Sequence, residues 1–249
     1  MSDPQHRIIA QWIIKKASNL EFEQISLVMF TVLKLYLQNK SEEEIYDVIE
    51  LNRKAVINEL RNISADSLDD GVRPNFEIYE DGDSAYIRMT DAPEVKLLNK
   101  LIEKTPEAFE VFCSKLLTKL GAKATPTGNR NDGGVDFTGS SLPIGISCGI
   151  APTCSKVFVI GQAKRYADGN FVVETELRKF VGGAIRKAYD LKHQIHALTP
   201  ILYAFWTTAD FHPDAKEYAR QMGMWYLNGI GLAQLAHVVG ITAETIDEL

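Results

Sequence analysis

An aspartate interrupts a segment that otherwise looks like the start of a strand. Asp136 lies in NDGGVDFTG, residues 131–139, between a valine and a phenylalanine. Aspartate is depleted in strands because its short polar side chain competes for backbone hydrogen bonds. Asp136 is therefore expected either to lie on an exposed face or to bind something, and Gly133 and Gly134 before it would let another backbone or a ligand come close.

The segment KVFVIGQAKRY, residues 156–166, ends in polar side chains after an apolar run. Gln162 and Lys164 are two residues apart, so they point to the same face of a strand. Together with Asp136 they could hold a hard divalent cation beside an ammonium group, since Mg²⁺ needs few protein oxygens when it keeps water and binds substrate phosphate. Such a metal polarises a phosphodiester, and Lys164 could stabilise the developing charge or help deprotonate the nucleophile.

The segment TPEAFEVFCSKLLTKLG is predicted to form a helix over 106–120. Thr105 suits its N-cap, Pro106 its first position and Gly121 its end. Glu110 lies beside the apolar stripe of this helix. Taken alone, that position is typical of a solvated helix residue, although it also makes Glu110 a candidate fourth member of the site.

Strands alternate with helices over the second part of the chain, which predicts an α/β domain with a mixed sheet. We expect Thr207 and Thr208 to end the last of these strands near the edge of the sheet, where they could touch phosphate. The predicted strands cover 122–126, 134–139, 156–164 and 200–207, and the predicted helices lie near 174–191 and 212–222.

The first part is predicted to be mainly helical to about residue 63. Ser41 and the three glutamates after it predict a helix over 41–50, and Asn52 is a candidate cap for a second helix. The segment FEIYEDGDSAYIRMT then reads as two strands around an Asp-Gly turn.

Helices followed by a hairpin resemble a winged helix-turn-helix, whose second helix enters the DNA major groove. The alternative is a wing that mediates protein contacts or dimerisation. Pro93 marks the boundary, which gives a DNA-recognition domain over 1–92 and a catalytic domain over 93–249. The candidate DNA-binding residues are Asn52, Arg53, Lys54, Arg61 and, in the second part, Arg165.

The charge is unevenly distributed between the two parts. Residues 1–91 hold 10 Lys and Arg against 17 Asp and Glu, whereas 92–249 hold 17 against 16. Within 156–192 there are eight basic residues and four acidic ones, a local excess that could hold a polyanion. The overall net charge of −6 nevertheless argues against indiscriminate coating of nucleic acid.

The sequence has the composition of an ordinary globular protein, with 45% hydrophobic and 24% charged residues. Its apolar runs are far shorter than the roughly 20 residues that span a bilayer, and no secretory signal begins it. We therefore expect a cytoplasmic protein without membrane association. Its three cysteines have no paired spacing, which favours reduced, structural thiols over a disulfide framework or a zinc site.

Six segments together resemble the Mrr-type restriction endonucleases, a branch of the PD-(D/E)xK nuclease superfamily. The resemblance covers about 105–238 and implies a restriction-endonuclease-like α/β core, Mg²⁺-dependent hydrolysis of DNA and, often, recognition of modified DNA. It also makes an N-terminal winged helix a natural attachment. The segments are AFEVFCSKLLTKLG, TGNRNDGGVDFTG, GQAKRY, LRKFVGGA, FWTTADFHPDAKEYAR and YLNGIGLAQLA.

The resemblance assigns roles to the residues already singled out. Asp136 matches the metal-binding acid of the family, Gln162 its replacement for a second acid, Lys164 its lysine, and Glu110 a helix glutamate often present there. Asp132 aligns with an accessory acid. Glutamine in place of an acid removes one negative charge from the metal site, which should weaken Mg²⁺ binding unless Glu110 compensates.

The sequence thus predicts a two-domain, Mg²⁺-dependent endonuclease that acts on double-stranded DNA, including methylated DNA. Cleavage of both strands needs two sites, so a homodimer or a DNA-driven oligomer is expected. Two alternatives stay open: a DNA-binding regulatory protein that keeps the nuclease fold without cleaving, and a structure-specific or RNA-directed nuclease of the same superfamily.

Overall fold

The chain forms two compact units, Met1–Ala92 and Pro93–Leu249. The structure is a computed structural model, and it describes residues 4–18, 21–127, 134–143, 156–166, 170–196 and 198–248. No helix within these ranges is both long and apolar enough to cross a bilayer.

The first unit combines three helices with a small antiparallel sheet. Its sheet has the order β1-β3-β2, and the apolar faces of all three helices enclose one core with it. The elements are α1 (Pro4–Lys16), β1 (Glu23–Gln24), α2 (Ile25–Tyr36), α3 (Glu42–Asp69), β2 (Phe76–Asp81) and β3 (Ser84–Met89).

One continuous helix, α3, replaces the two helices that the sequence predicted around residues 41–50 and after Asn52. Its start is as expected, because the Ser41 hydroxyl accepts from the Glu44 amide while the Glu44 carboxylate accepts from the Ser41 amide. Asn52 is not a cap. Its side-chain amide donates to the Val48 carbonyl, 2.7 Å away, inside the helix. The apolar face runs on without a break from Ile45 through the predicted boundary, so tertiary packing outweighs the local preference of asparagine for a helix end.

The predicted hairpin is present. β2 and β3 pair from Phe76 opposite Met89 to Asp81 opposite Ser84, which leaves a two-residue connection. Gly82 occupies the first of these positions with φ +58°, a conformation that favours glycine in tight hairpins.

The second unit is a mixed five-stranded sheet with helices on both faces. The strand order is β10-β8-β6-β5-β4; β10, β8 and β6 are parallel, while β5 is antiparallel to both of its neighbours. The elements are α4 (Pro93–Glu103), α5 (Pro106–Lys119), β4 (Lys123–Pro126), β5 (Phe137–Pro143), β6 (Lys156–Lys164), β7 (Phe171–Val172), α6 (Glu174–Asp190), β8 (Ile201–Thr207), β9 (Asp210–Phe211), α7 (Pro213–Gln221), β10 (Trp225–Leu227), α8 (Gly229–Val238) and a short 3₁₀ helix, Ile246–Glu248.

The central strand β6 separates two hydrophobic layers. Val157 and Val159 pack in the layer that contains α4, α5 and α8, whereas Phe158 and Ile160 pack in the layer that contains α6 and α7. The predicted mixed α/β sheet is confirmed. Because side chains alternate along a strand, Gln162 and Lys164 belong to the α6 face.

A glycine in the middle of β6 accommodates a buried aromatic ring. A Cβ at Gly161 would lie 2.1 to 2.7 Å from three ring atoms of Phe137, which is fully buried. We expect Gly161→Ala to lower the free energy of unfolding by about 1–3 kcal/mol or more, because a packed core cannot admit the extra methyl group. Thermal unfolding of the two proteins would measure this. An unchanged melting temperature would contradict the close packing of Gly161 against Phe137.

Candidate active site

Asp136 is held at the start of β5 by two hydrogen bonds to β6. Its amide donates to the Gly161 carbonyl at 2.9 Å, and its Oδ2 accepts from the Ala163 amide at 2.8 Å. Since Phe137 pairs with Gly161, continuing the antiparallel register sets Asp136 opposite Gln162. The carboxylate is thus fixed beside the strand that carries Gln162 and Lys164.

Gln162 is buried next to the loop that leads to Asp136. Only 8% of the residue is exposed, and a Cβ at Gly134 would lie 2.8 Å from its Nε2. Gly134 also has φ +84°, a left-handed conformation that side chains disfavour. The close approach that the sequence predicted at Gly134 is therefore made by the glutamine side chain itself.

Lys164 lies at the end of β6 with a carboxylate and a phenol nearby. Its Nζ is 4.0 Å from Oε1 of Glu176, in the first turn of α6. The Tyr166 hydroxyl donates to the same oxygen. Burial raises the pKa of the Tyr166 phenol, and the hydrogen bond to Glu176 adds to the rise, so this hydroxyl stays protonated as a donor. The side chain of Lys164 is 39% exposed, so its ammonium group is accessible to solvent.

Two threonines at the end of β8 fix the backbone around Lys164. The Thr207 hydroxyl donates to the Lys164 carbonyl at 2.8 Å. The Thr208 hydroxyl accepts from the Tyr166 amide and donates to the Tyr166 carbonyl. Both threonines are buried, so these hydroxyls bond the protein backbone instead of standing at an open edge of the sheet as the sequence suggested.

Glu110 belongs to α5 and therefore to the helical layer on the other face of the sheet. Burial raises the pKa of its carboxyl above the usual value, and Glu107 adds to the rise. The pKa of the buried Cys113 thiol is raised by burial and, to a smaller extent, by the charges of Asp136 and Glu110. The negative charges of Asp136 and Glu110 therefore both influence the pKa of the same residue of α5, Cys113. Asp132, the accessory acid suggested by sequence, lies outside the described residues.

The oxygen donors of Asp136, Gln162 and Glu110 would form a donor set that suits a hard cation with few protein ligands. Within the described residues, no group of three or more His, Cys, Asp or Glu side chains is arranged so that it could hold a metal ion. One carboxylate, one amide oxygen and a second carboxylate reached through water are compatible with Mg²⁺, which keeps several waters. The burial of the Gln162 amide and the fixed carboxylate of Asp136 support this set.

Glu110 offers a test of this donor set that does not depend on catalysis. An acid with a raised pKa in the fold binds its proton more tightly than in the unfolded chain, so stability falls as pH rises through that pKa. We expect Glu110→Gln to raise the melting temperature slightly at pH 8 without metal and to leave it unchanged at pH 4. Added Mg²⁺ should stabilise the wild type more than the variant. If Mg²⁺ raises the melting temperature of the wild type and of Glu110→Gln equally in differential scanning fluorimetry, Glu110 does not contribute to the metal site.

The candidate DNA-binding residues differ in how free their side chains are. Arg61 makes a two-pronged contact with Glu80 on β2, at 2.5 and 2.6 Å from Nη2. Asn52 is engaged by the Val48 carbonyl and by His6. Lys54 is exposed and Arg53 half-buried.

Arg165 follows Lys164 directly, and its buried Nε has no hydrogen-bond partner among the residues that the structure describes.

Sequence reasoning did not identify Glu176 as a partner of Lys164. Its place in the first turn of α6, three residues after Val173, is the ordinary position of a helix-capping acid, and its Oε2 does accept from the Val173 amide at 3.2 Å. Only the packing of α6 against β6 brings its other oxygen to the lysine. In the sequence, the one indication of this contact was Tyr166 at the end of GQAKRY, whose hydroxyl bonds the same glutamate.

These features define a class of protein: an α/β fold in which the central strand β6 ends with Gln162 and Lys164 beside the fixed carboxylate of Asp136. A family model described as restriction endonuclease, Mrr_cat, matches residues 101–236. The chain belongs to this restriction endonuclease family.

Three solved structures are similar to this chain at low sequence identity. No curated protein matches it. The MspJI restriction endonuclease in complex with a 27-mer oligonucleotide is 19% identical with a TM-score of 0.41, covering 62% of this chain and 34% of that one. The DNA modification-dependent restriction endonuclease AspBHI is 22% identical with a TM-score of 0.42, covering 63% and 38%. The restriction endonuclease FokI is 12% identical with a TM-score of 0.39, covering 98% and 45%. This chain thus spans little more than a third of the first two proteins.

Proposed function

We propose that this protein is a cytoplasmic, Mg²⁺-dependent endonuclease that hydrolyses phosphodiester bonds of double-stranded DNA. The observation that carries the proposal is the fixed carboxylate of Asp136, bonded to the Ala163 amide between Gln162 and Lys164. Membership of the restriction endonuclease family supports the same reaction.

Each residue of the site has a distinct part in the proposed reaction. Asp136 and the Gln162 side-chain oxygen would hold Mg²⁺, and Glu110 would assist through the metal or a bound water. The metal, when bound, supplies Lewis-acid activation of the phosphodiester and of water. Lys164 would orient the nucleophile and stabilise the negative charge that develops on the phosphoryl oxygens. The hydroxyls of Thr207 and Thr208 hold the backbone from which that lysine projects.

Assembly and substrate follow from the reaction. A single site cuts one strand at a time, so cleavage of a duplex calls for a homodimer or an oligomer formed on DNA. The proposed substrate is modified DNA, in particular methylated DNA, in keeping with the resemblance of six sequence segments to Mrr-type enzymes.

The first unit is proposed to recognise DNA as a winged-helix-like domain. Its helices α2 and α3, followed by the β2-β3 hairpin, give the required order of elements. Arg53 and Lys54 on α3 would contact phosphate. Arg61 is already neutralised by Glu80, so we expect it to contribute less.

Cleavage of matched methylated and unmethylated plasmids in Mg²⁺, Mn²⁺ or EDTA tests the enzymatic proposal. Asp136→Asn is the matched variant, because it preserves shape while removing one negative charge. Metal-dependent cutting that Asp136→Asn abolishes would support a nuclease, and a difference between the plasmids would support modification dependence. If DNA is bound but never cut, the regulatory, non-cleaving alternative is favoured. Preferential cutting of branched DNA or RNA would favour the structure-specific alternative.

The role of the first unit is tested by comparing two charge removals on α3. The double variant Arg53→Ala/Lys54→Ala should weaken duplex binding and lower the slope of log affinity against log salt by about two, roughly one for each lost phosphate contact. Arg61→Ala should change that slope little. If neither variant alters binding measured by fluorescence anisotropy, the first unit does not contact DNA through this face.

A further inference from the structure

Helix α6 carries an exposed basic face that the proposed site does not use. Thr175, Lys179, Gly182 and Arg186 follow one another at spacings of four, three and four residues, so they lie on one side of the helix. All four are exposed. Lys179 and Arg186 make no ion pair with any residue that the structure describes, whereas the neighbouring Arg178 is paired with Glu174. This surface, from Thr175 to Arg186, is called the α6 face below.

The glycine on the α6 face has no packing explanation in the part of the chain that the structure describes. After proline, glycine is the least favourable residue in a helix interior. A Cβ at Gly182 would meet nothing within 4 Å, so no packing requires its absence. Its conformation is that of an ordinary helix, so it is not needed for a turn either. What a glycine does provide is room for another backbone to approach the helix closely.

The α6 face lies on the helix whose first turn reaches the proposed reaction centre. Glu176, in the first turn of the same helix, lies 4.0 Å from the Lys164 ammonium. Lys179 is one turn further along, and Arg186 is about 10 Å beyond it at 1.5 Å per residue. That distance corresponds to about three base steps of duplex DNA. The one acidic residue in line with this face, Asp190, lies at the far end of the helix.

We propose that the α6 face binds the phosphate backbone of the duplex next to the scissile bond, with Lys179 and Arg186 contacting phosphates and Gly182 letting the strand approach the helix. The occupant is DNA because the face is cationic, makes no ion pair with a described residue and lies on the helix that begins at the site, while the protein as a whole carries a net charge of −6. The inference deepens the proposed nuclease function and depends on it.

Binding of the full-length protein to a fluorescent 30-base-pair duplex in EDTA, over a range of NaCl concentrations, tests the proposal. We expect Lys179→Ala/Arg186→Ala to weaken binding at least threefold at low salt and to lower the salt slope by about 1.8, because two phosphate contacts are lost. Lys156→Ala is the matched control, since it removes an exposed lysine at the opposite end of β6. It should leave affinity and slope as in the wild type.

Gly182→Ala provides the sharper result. The added methyl group should raise the melting temperature by about 2–4 °C, because alanine favours helix and meets open space. The same change should weaken DNA binding several-fold by keeping the strand away from the helix. A more stable protein that binds DNA less well cannot be explained by damage to the fold.

The possible results separate this inference from the proposed function. A wild type that binds and cuts DNA, together with variants that bind equally well and have the same salt slope, would overturn the α6 face alone. Variants that change the oligomeric mass in light scattering but not the salt slope would show that a second copy of the chain covers this face, which also overturns it. A wild type that binds no duplex DNA would overturn the nuclease proposal and this inference together.

Discussion

Replacing Lys164 with alanine is expected to lower the single-turnover rate of Mg²⁺-dependent DNA cleavage by about 10²–10³-fold or more. The lysine ends the strand that carries Gln162, two residues away on the same face, and its charge would offset the negative charge that develops on the phosphoryl oxygens. Loss of one such preorganised donor typically costs this much in rate. The measurement uses excess enzyme and a short labelled duplex, so that the chemical step is observed.

Two companion variants make this result specific. Lys164→Arg keeps the charge but spreads it over a planar group, so we expect only partial recovery. Lys156→Ala, on the same strand, should cleave at the wild-type rate. Affinity for the duplex should fall far less than the rate in Lys164→Ala. A variant that still cuts within tenfold of the wild type would exclude the proposed role of Lys164.

Replacing Arg7 with alanine is expected to destabilise the first unit by about 3–5 kcal/mol. Nη1 of Arg7 lies 3.1 Å from Oε1 of Glu59 and 3.5 Å from Oδ2 of Asp66, and the side chains of Arg7 and Glu59 are only 6% and 3% exposed. Removing the arginine leaves the Glu59 carboxylate buried without that partner. Hydrogen exchange in peptides from α1 and α3, followed by mass spectrometry, would report the loss of protection locally.

A second substitution tests whether the unpaired charge is the cause. Glu59→Gln in the Arg7→Ala background removes the charge with little change of shape, so it should restore part of the lost protection. Exchange in the α6 and β6 peptides serves as the internal reference, because these belong to the other unit. Equal protection in wild type and Arg7→Ala would mean that the ion pair contributes nothing net.

The elements that could be predicted from the sequence are those whose ends or burial are set by neighbouring residues in the chain. Thr105 and Pro106 mark the start of α5, and the apolar run before Gln162 marks β6, because capping and strand burial leave direct traces in residue type. The continuity of α3 through Asn52 left no such trace, since it depends on a hydrophobic face whose partners lie on other helices.

The candidate site divides in the same way. Gln162 and Lys164 could be placed on one face from their spacing alone, and Asp136 could be singled out as an unexpected acid in a strand-like segment. The contact between Lys164 and Glu176 could not, because it joins the end of a strand to a helix that only the packing of α6 brings near. Gly161 likewise gave no sign that the Phe137 ring would fill the space above it.

The hydrogen bond from Thr207 to the Lys164 carbonyl spans 43 residues of chain. During synthesis, Asp136, Gln162 and Lys164 are all added to the chain before β8, so the incomplete chain holds these side chains without the strand that fixes the backbone at Lys164. Pairing of β6 with β8 is a long-range contact and forms late relative to local structure. The end of β8 thus makes assembly of the site conditional on a nearly complete second unit, which in the proposed nuclease would keep unfinished chains from cutting the DNA of the cell that makes them.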